Sequence, residues 1–135
     1  MEVEIIEMSS PDIDIYTFNP YDDPDDPDNR YPNRLHITIE MVIGAEGKGL
    51  DYWIDIYTTE YLARFSPCPY DKILVINEWN LELITNELNK IVKMCIDAPE
   101  DTYKALSRYF HWEYENYIPY EEALKRAKAK SLLLQ

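Results

Sequence analysis

The side chains in this sequence that could do chemistry are two histidines, two cysteines, two glutamates two residues apart and a run of aspartates. His36 and His111 each fall in a strand-like stretch, opposite its apolar row. Neither sits beside a cysteine or carboxylate cluster with ligand spacing, so they read as surface or hydrogen-bonded histidines rather than zinc ligands or general bases. Cys68 stands between Pro67 and Pro69, with only Arg64 and Lys72 near enough in sequence to lower its pKa, and Cys95 falls on the apolar stripe of a helix, a core position. Glu113 and Glu115 share one face of a strand and are close enough to work as a carboxylate pair, yet no neighbouring residue marks a substrate pocket. Ser9, Ser10 and Ser66 lack the glycine-flanked turn that exposes a nucleophile. The three glycines, Gly44, Gly47 and Gly49, match no phosphate-cradling pattern and precede no helix. No catalytic set and no cofactor is expected, and the chain reads as non-enzymatic.

The aspartates are a different matter. In Asn19–Asn33, prolines 20, 24 and 27 fix φ and remove donors, which rules out helix and central strand. Asp22, Asp23, Asp25, Asp26 and Asp28 lie between them, giving an extended, self-repelling loop. A calcium loop of the EF-hand kind needs glycine at its sixth position and glutamate at its twelfth. Counting from any of the five aspartates lands on Asn33, Arg34, His36, Ile37 or Ile39, so no metal is expected there. Two readings stay open for the segment: a solvated loop without a role, or a partner-binding loop with Tyr21 and Tyr31 as flanking contacts. Residues 1–34 hold ten acids against Arg30 and Arg34, and the whole chain carries −13. Such a charge argues against direct binding of nucleic acid or anionic membrane and suits a cationic partner. Glu113 and Glu115 form a second candidate face.

The elements that must position these groups follow from periodicity. Leu35, Ile37, Ile39, Met41 and Ile43 alternate with His36, Thr38, Glu40 and Val42; Tyr52, Ile54 and Ile56 alternate with Trp53, Asp55 and Tyr57. Period two on both arms predicts a hairpin over residues 35–58 with a glycine turn at 44–49. Glu2–Met8 predicts an opening strand with Val3, Ile5 and Met8 inward, and Asp12–Phe18 either a short edge strand or an extended loop. Thr59–Phe65 predicts one or two helical turns capped by Thr59, with Tyr61, Leu62 and Phe65 inward. Lys72–Asn77 reads as a buried central strand. Asn80 opens a helix to about Ile96, with Leu81, Ile84, Leu88, Ile91, Val92 and Cys95 in one stripe, and Pro99 starts another through Tyr103, Leu106 and Tyr109. Phe110–Tyr117 predicts a half-buried strand, with Phe110 and Trp112 on one face and His111, Glu113 and Glu115 on the other. The fold class expected is α+β: an antiparallel sheet of four to six strands with two or three helices packed mainly on one face. Residues 1–117 form a single domain that includes the acidic loop 19–33, and 118–135 a C-terminal amphipathic helical extension. With 46% hydrophobic residues the chain has material for a core. With two cysteines, no N-terminal apolar leader and no apolar run near eighteen residues, the expected setting is the reducing cytoplasm.

Three stretches carry a resemblance. S-S-P-D-I at 9–13 with the acidic D-D-P-D-D-P-D-N at 22–29, the hairpin running into T-T-E-Y-L at 58–62, and above all L-S-R-Y-F-H-W-E-Y-E-N-Y at 106–117 are similar to the immunity protein 8 family of bacterial polymorphic toxin systems. Thr59-Glu60 departs from that family's threonine–proline step. The resemblance covers residues 1–117. It implies a cytoplasmic protein that binds and neutralises a cognate toxin domain encoded beside it, without catalytic residues of its own, and occlusion of the toxin's cleft is the expected mode. A nuclease with a basic cleft is one toxin that an acidic protein fits. An adaptor or regulator acting on an unrelated basic partner is the alternative that the acidic loop leaves open.

Overall fold

The computed structural model describes residues 3–22, 30–65 and 72–113. Its elements in chain order are β1 (Glu4–Ser9), β2 (His36–Ala45), β3 (Lys48–Thr58), α1 (Thr59–Arg64), β4 (Ile73–Ile76), α2 (Leu81–Ile96), α3 (Thr102–Leu106) and β5 (His111–Trp112). The hairpin β2–β3 is the spine. It pairs antiparallel without interruption from His36 opposite Tyr57 to Ala45 opposite Lys48. The connection is tighter than residues 44–49 suggest: only Glu46 and Gly47 turn, with φ of 55° and 74°, the two positive values that the right-handed twist of a hairpin favours. Gly44 and Gly49 are instead paired in the ladder, where the two backbones come too close for a side chain. A Cβ on Gly44 would collide with the Lys48 carbonyl, and one on Gly49 would stand 2.6 Å from the Ile43 oxygen.

β1 pairs with β2 along the outer edge, and its register shifts between Ile5 and Glu7. That bulge explains a mismatch of parity. Ile5 and Met8, three residues apart, both pack on the core, which a regular strand forbids; the extra residue at Ile6 turns Met8 inward opposite Met41 and Glu7 outward opposite Val42. On the other side β3 has two neighbours. Its Tyr52–Trp53 segment pairs antiparallel with β5, and its last residues, Asp55–Thr58, pair with β4. The α+β class is as expected, and the five strands and three helices of the described residues fall within the expected numbers. The β3–β4 pairing is parallel, because the chain leaves β3 through α1 and returns to run beside it instead of folding straight back. Among the described residues β4 is accordingly an edge strand that pairs with β3 alone, not the buried central strand anticipated, and its Val75 is exposed.

One face of the sheet makes the core. Ile37, Ile39, Met41, Ile43, Tyr52, Ile54 and Ile56 are each less than 5% exposed and meet Ile84, Leu88, Val92 and Cys95 of α2, with Leu106 and Phe110 closing the end. α2 starts at Asn80, whose side chain accepts from the Leu83 N–H at 3.0 Å, and its apolar stripe is the one the sequence shows. α3 is shorter than anticipated. Asp101 serves as its cap, accepting from Tyr103 N at 2.8 Å, and the helix ends at Leu106, so Tyr109 is exposed while Phe110 fills the core. The cap of α1 is Thr58, not Thr59. Its hydroxyl, fully buried, accepts from Tyr61 N (3.4 Å) and Leu35 N (2.9 Å) and donates to Leu35 O (3.3 Å), which ties the start of β2 to the end of β3. Phe65, expected inward, is 47% exposed. Residues 12–18 form turns rather than a strand, with the Asp14 carbonyl accepting from Thr17 N and Phe18 N, and they drop Ile15 into the core. The expected helix over 118–135 and most of the expected strand after Trp112 lie outside the described residues.

Candidate functional site

Alternation that sends Ile37 to Ile56 inward sends a second set outward, and this outer row differs from a simple polar surface. Pairing places Glu7 and Ser9 of β1 beside Val42 and Glu40 of β2, which in turn face Asp51 and Trp53 of β3; Trp53 faces His111 of β5. Where these four strands meet lies a groove of about 490 Å³, bordered by Glu7, Glu40, Asp51 and Glu113 with Val42 and Trp53 along its floor. All four carboxylates are exposed, and among the described residues none of them is ion-paired. The indole of Trp53 is half-buried and lies nearly parallel to the His111 ring, 5.6 Å away. Glu113 is held at the rim by its own backbone, whose N–H donates to the Asp51 carbonyl at 3.4 Å.

The other end of the same face is aromatic. His36 stacks on Tyr57 with centroids 4.2 Å apart, and Tyr61 leans on both, followed by Phe65 at 4.8 Å. Tyr57 is thereby only 4% exposed although it points away from the core. Asp55 in the middle of the face is not available to a partner: its Oδ1 accepts from Thr38 Oγ1 at 2.7 Å and meets His36 Nε2 at 3.2 Å. Arg34 lies over the Tyr31 ring at 3.7 Å and reaches Glu60 at 3.7 Å.

The residues singled out from sequence divide accordingly. Glu113 stands in the groove. Tyr31, 47% exposed, belongs to the aromatic end through Arg34. Tyr21 and Asp22 form a single 3-10 turn with Pro20 at the start of the acidic segment; both are exposed, and the Tyr21 N–H donates to Asn19 Oδ1 at 2.9 Å. Asp23, Asp25, Asp26, Asp28 and Glu115 lie outside the described residues, as does Cys68. Glu7, Glu40, Asp51 and Trp53 escaped the sequence reading as site residues. Glu40 and Trp53 were visible as outward members of alternating strands, but Glu7 has the wrong parity until the bulge at Ile6 is known.

Among the described residues no group of three or more histidines, cysteines or acids is placed to hold a metal ion. The two groups with displaced pKa values are core residues: burial, reinforced by Tyr103 and Asp101, pushes the Tyr52 hydroxyl well above its usual range, and burial, then Glu100, raises the Cys95 thiol. Cys95 does not line the groove, and Tyr52, which borders it, is wholly buried in the core. No helix among the described residues is long and apolar enough to cross a membrane.

The described residues thus form an α+β domain with a packed inner sheet face and an acidic, aromatic outer face. The family model for Immunity protein 8 matches residues 4–117, so the chain belongs to the Immunity protein 8 family, whose members act against a toxin. No curated protein and no solved structure matches the chain significantly.

Proposed function

We propose that this immunity protein neutralises its cognate toxin by covering the toxin's working cleft, and that the outer sheet face is the part of the molecule that does so. The observation that carries this reading is the groove itself: four carboxylates, none ion-paired among the described residues, around Trp53 on the part of the outer face that the described helices leave open. A toxin that handles nucleic acid keeps a cationic cleft for phosphate, and a carboxylate-lined surface occupies such a cleft while repelling nothing in it. The net charge of −13 adds long-range attraction toward a cationic partner. The proline–aspartate segment 19–33, on this reading, draws the toxin in and the sheet face holds it. Inhibition then requires no chemistry from the immunity protein, in keeping with a family of inhibitors.

The test is co-expression of the full chain with the toxin domain encoded beside it, followed by titration of the purified pair. Protection of the cells, a one-to-one complex, and substrate competing with the immunity protein for the toxin are the expected results. A complex that forms while the toxin still binds its substrate at unchanged affinity would replace occlusion with an action at a distance.

A further inference from the structure

The groove has a more specific chemistry than acidity, and from it we infer the identity of the side chain it receives: an arginine presented by the toxin, its guanidinium laid on the Trp53 indole and hydrogen-bonded by the carboxylates around it. This deepens the reading of the outer face as the toxin-binding surface and rests on it. Three features of the face converge on it.

The first is apolar. An antiparallel sheet with one face in water normally alternates apolar inward and polar outward. Here the outward row carries Val42, Trp53, Ile73 and Val75 alongside its acids. A tryptophan in the floor of an open groove is the composition of the centre of a protein interface, not of a solvated face.

The second is register. Glu40 is directly across the ladder from Trp53, and Asp51 lies two residues along the same strand. Those spacings put the Glu40 and Asp51 Cβ atoms roughly 5–7 Å from the tryptophan Cβ by ordinary sheet geometry. A flat cation resting on the indole is therefore within reach of Glu40 and Asp51 at once, with Glu113 at the rim. Lysine offers a compact charge without a face to stack, whereas guanidinium combines stacking with forked hydrogen bonds to carboxylates. One face of the indole is already matched by the parallel His111 ring, which holds the tryptophan in place for a partner.

The third is charge complementarity. Glu7, Glu40, Asp51 and Glu113 line one groove, and among the described residues no basic side chain lines it with them. Their fields add within the groove, and a cationic side chain that enters it is drawn by all four. The volume, about 490 Å³, admits the arginine with the residues flanking it.

The experiment measures binding of the full chain and its variants to the purified toxin domain by calorimetry, at low and at physiological salt. The groove triple E40Q/D51N/E113Q is compared with the control triple E78Q/E82Q/D97N, which changes net charge equally at exposed sites away from the groove. Trp53→Phe and Trp53→Leu separate a π face from mere apolar area, and circular dichroism establishes that each variant is folded. The inference expects the groove triple to weaken binding by 100-fold or more and the control by less than about 5-fold, with Trp53→Phe retaining much of the affinity and Trp53→Leu losing at least 10-fold. Equal losses from the two triples would mean that only overall charge matters and would overturn the inference. Full affinity in Trp53→Leu would do the same, since an apolar plug would then fill the groove. If the parent neutralises the toxin and every groove variant binds as the parent does, the toxin-inhibiting role stands and the groove is not its seat. If the parent itself does not bind, the role of the outer face in toxin binding falls and the inference with it.

Discussion

The two faces of the sheet are distinguished most sharply by two tryptophans. Trp112 and Trp53 are both half-buried, and they sit on adjacent paired strands, yet they point to opposite sides. Trp112 packs against the core cluster and lies parallel to Tyr52 at 6.2 Å, itself wholly buried. Replacing it with alanine removes on the order of 100–150 Å² of buried ring and leaves a void bounded by core side chains that cannot follow. At ~25 cal/mol per Å² the transfer loss alone is about 3 kcal/mol, and the void brings the total to roughly 3–5 kcal/mol. Removing Trp53 opens the groove further to water, so solvent fills the space and no enclosed void remains. The loss is then limited to partial burial and the His111 contact, about 1–2 kcal/mol. Total stability of a domain this size is roughly 5–15 kcal/mol, so Trp112→Ala lowers the melting temperature by roughly 10–20 °C and Trp53→Ala by about 5 °C. Urea denaturation followed by circular dichroism measures both, with equal slopes confirming that the unfolded states are alike. Equal losses would refute the assignment of Trp53 to the open face, and with it the floor of the groove.

Other outcomes follow from the same structure. Glu46 holds a left-handed conformation with a side chain that dislikes it, so Glu46→Asn should raise stability by about 0.5–1 kcal/mol, while Gly47→Ala, strained at φ 74° though unobstructed, should lower it by about 1–2 kcal/mol; thermal melts decide both. Tyr52 and Cys95 hold their protons more tightly folded than unfolded, from ordinary values of 10.0 and 9.0. Their stabilising contribution is therefore complete below about pH 9 and declines as pH rises beyond it, and Tyr52→Phe should flatten that alkaline decline in urea titrations at pH 7, 9 and 10.5. Changing Asp22, Asp23, Asp25, Asp26 and Asp28 together to asparagine should slow association with the toxin and flatten its salt dependence in surface-binding kinetics, leaving unfolding unchanged. An unaltered association rate at low salt would relieve the segment of any steering role.

Much of this fold is legible in the sequence, and the parts that are not share a cause. Periodicity gives β2, β3 and α2 with their inward faces because each is long and its apolar spacing has one solution. Elements shorter than about six residues have no period to read. α3 loses its last turn, β4 moves from centre to edge, and Phe65 stays exposed, because partners distant in sequence decide these matters. The turn is a case of glycine read for the wrong reason: Gly44 and Gly49 serve close backbone approach in the ladder, and Glu46 takes a conformation no composition rule assigns to it. The candidate site was half visible. Glu113 is legible on its strand-like stretch, but a groove that gathers residues from three strands and from Glu113 just beyond β5 exists only once register is known, and register at β1 depends on one bulged residue.

That bulge and the strand β5 show how closely the core and the open face are coupled. Glu113 follows directly on β5 and its N–H still donates to the Asp51 carbonyl, so the tryptophan–glutamate pair at 112–113 sends one side chain to each face: Trp112 against the core, Glu113 to the rim of the groove. Anchoring Trp112 beside Tyr52 therefore sets where Glu113 stands, and a slip of one residue would bury the acid and expose the indole. At the opposite rim the extra residue at Ile6 does the equivalent work, since without it Glu7 would follow Ile5 inward. Both rims of the groove are thus positioned by core packing on the far side of the sheet. Mutations that loosen the core at Met8 or Trp112 should then weaken toxin binding beyond their effect on the folded fraction, although neither side chain belongs to the outer row.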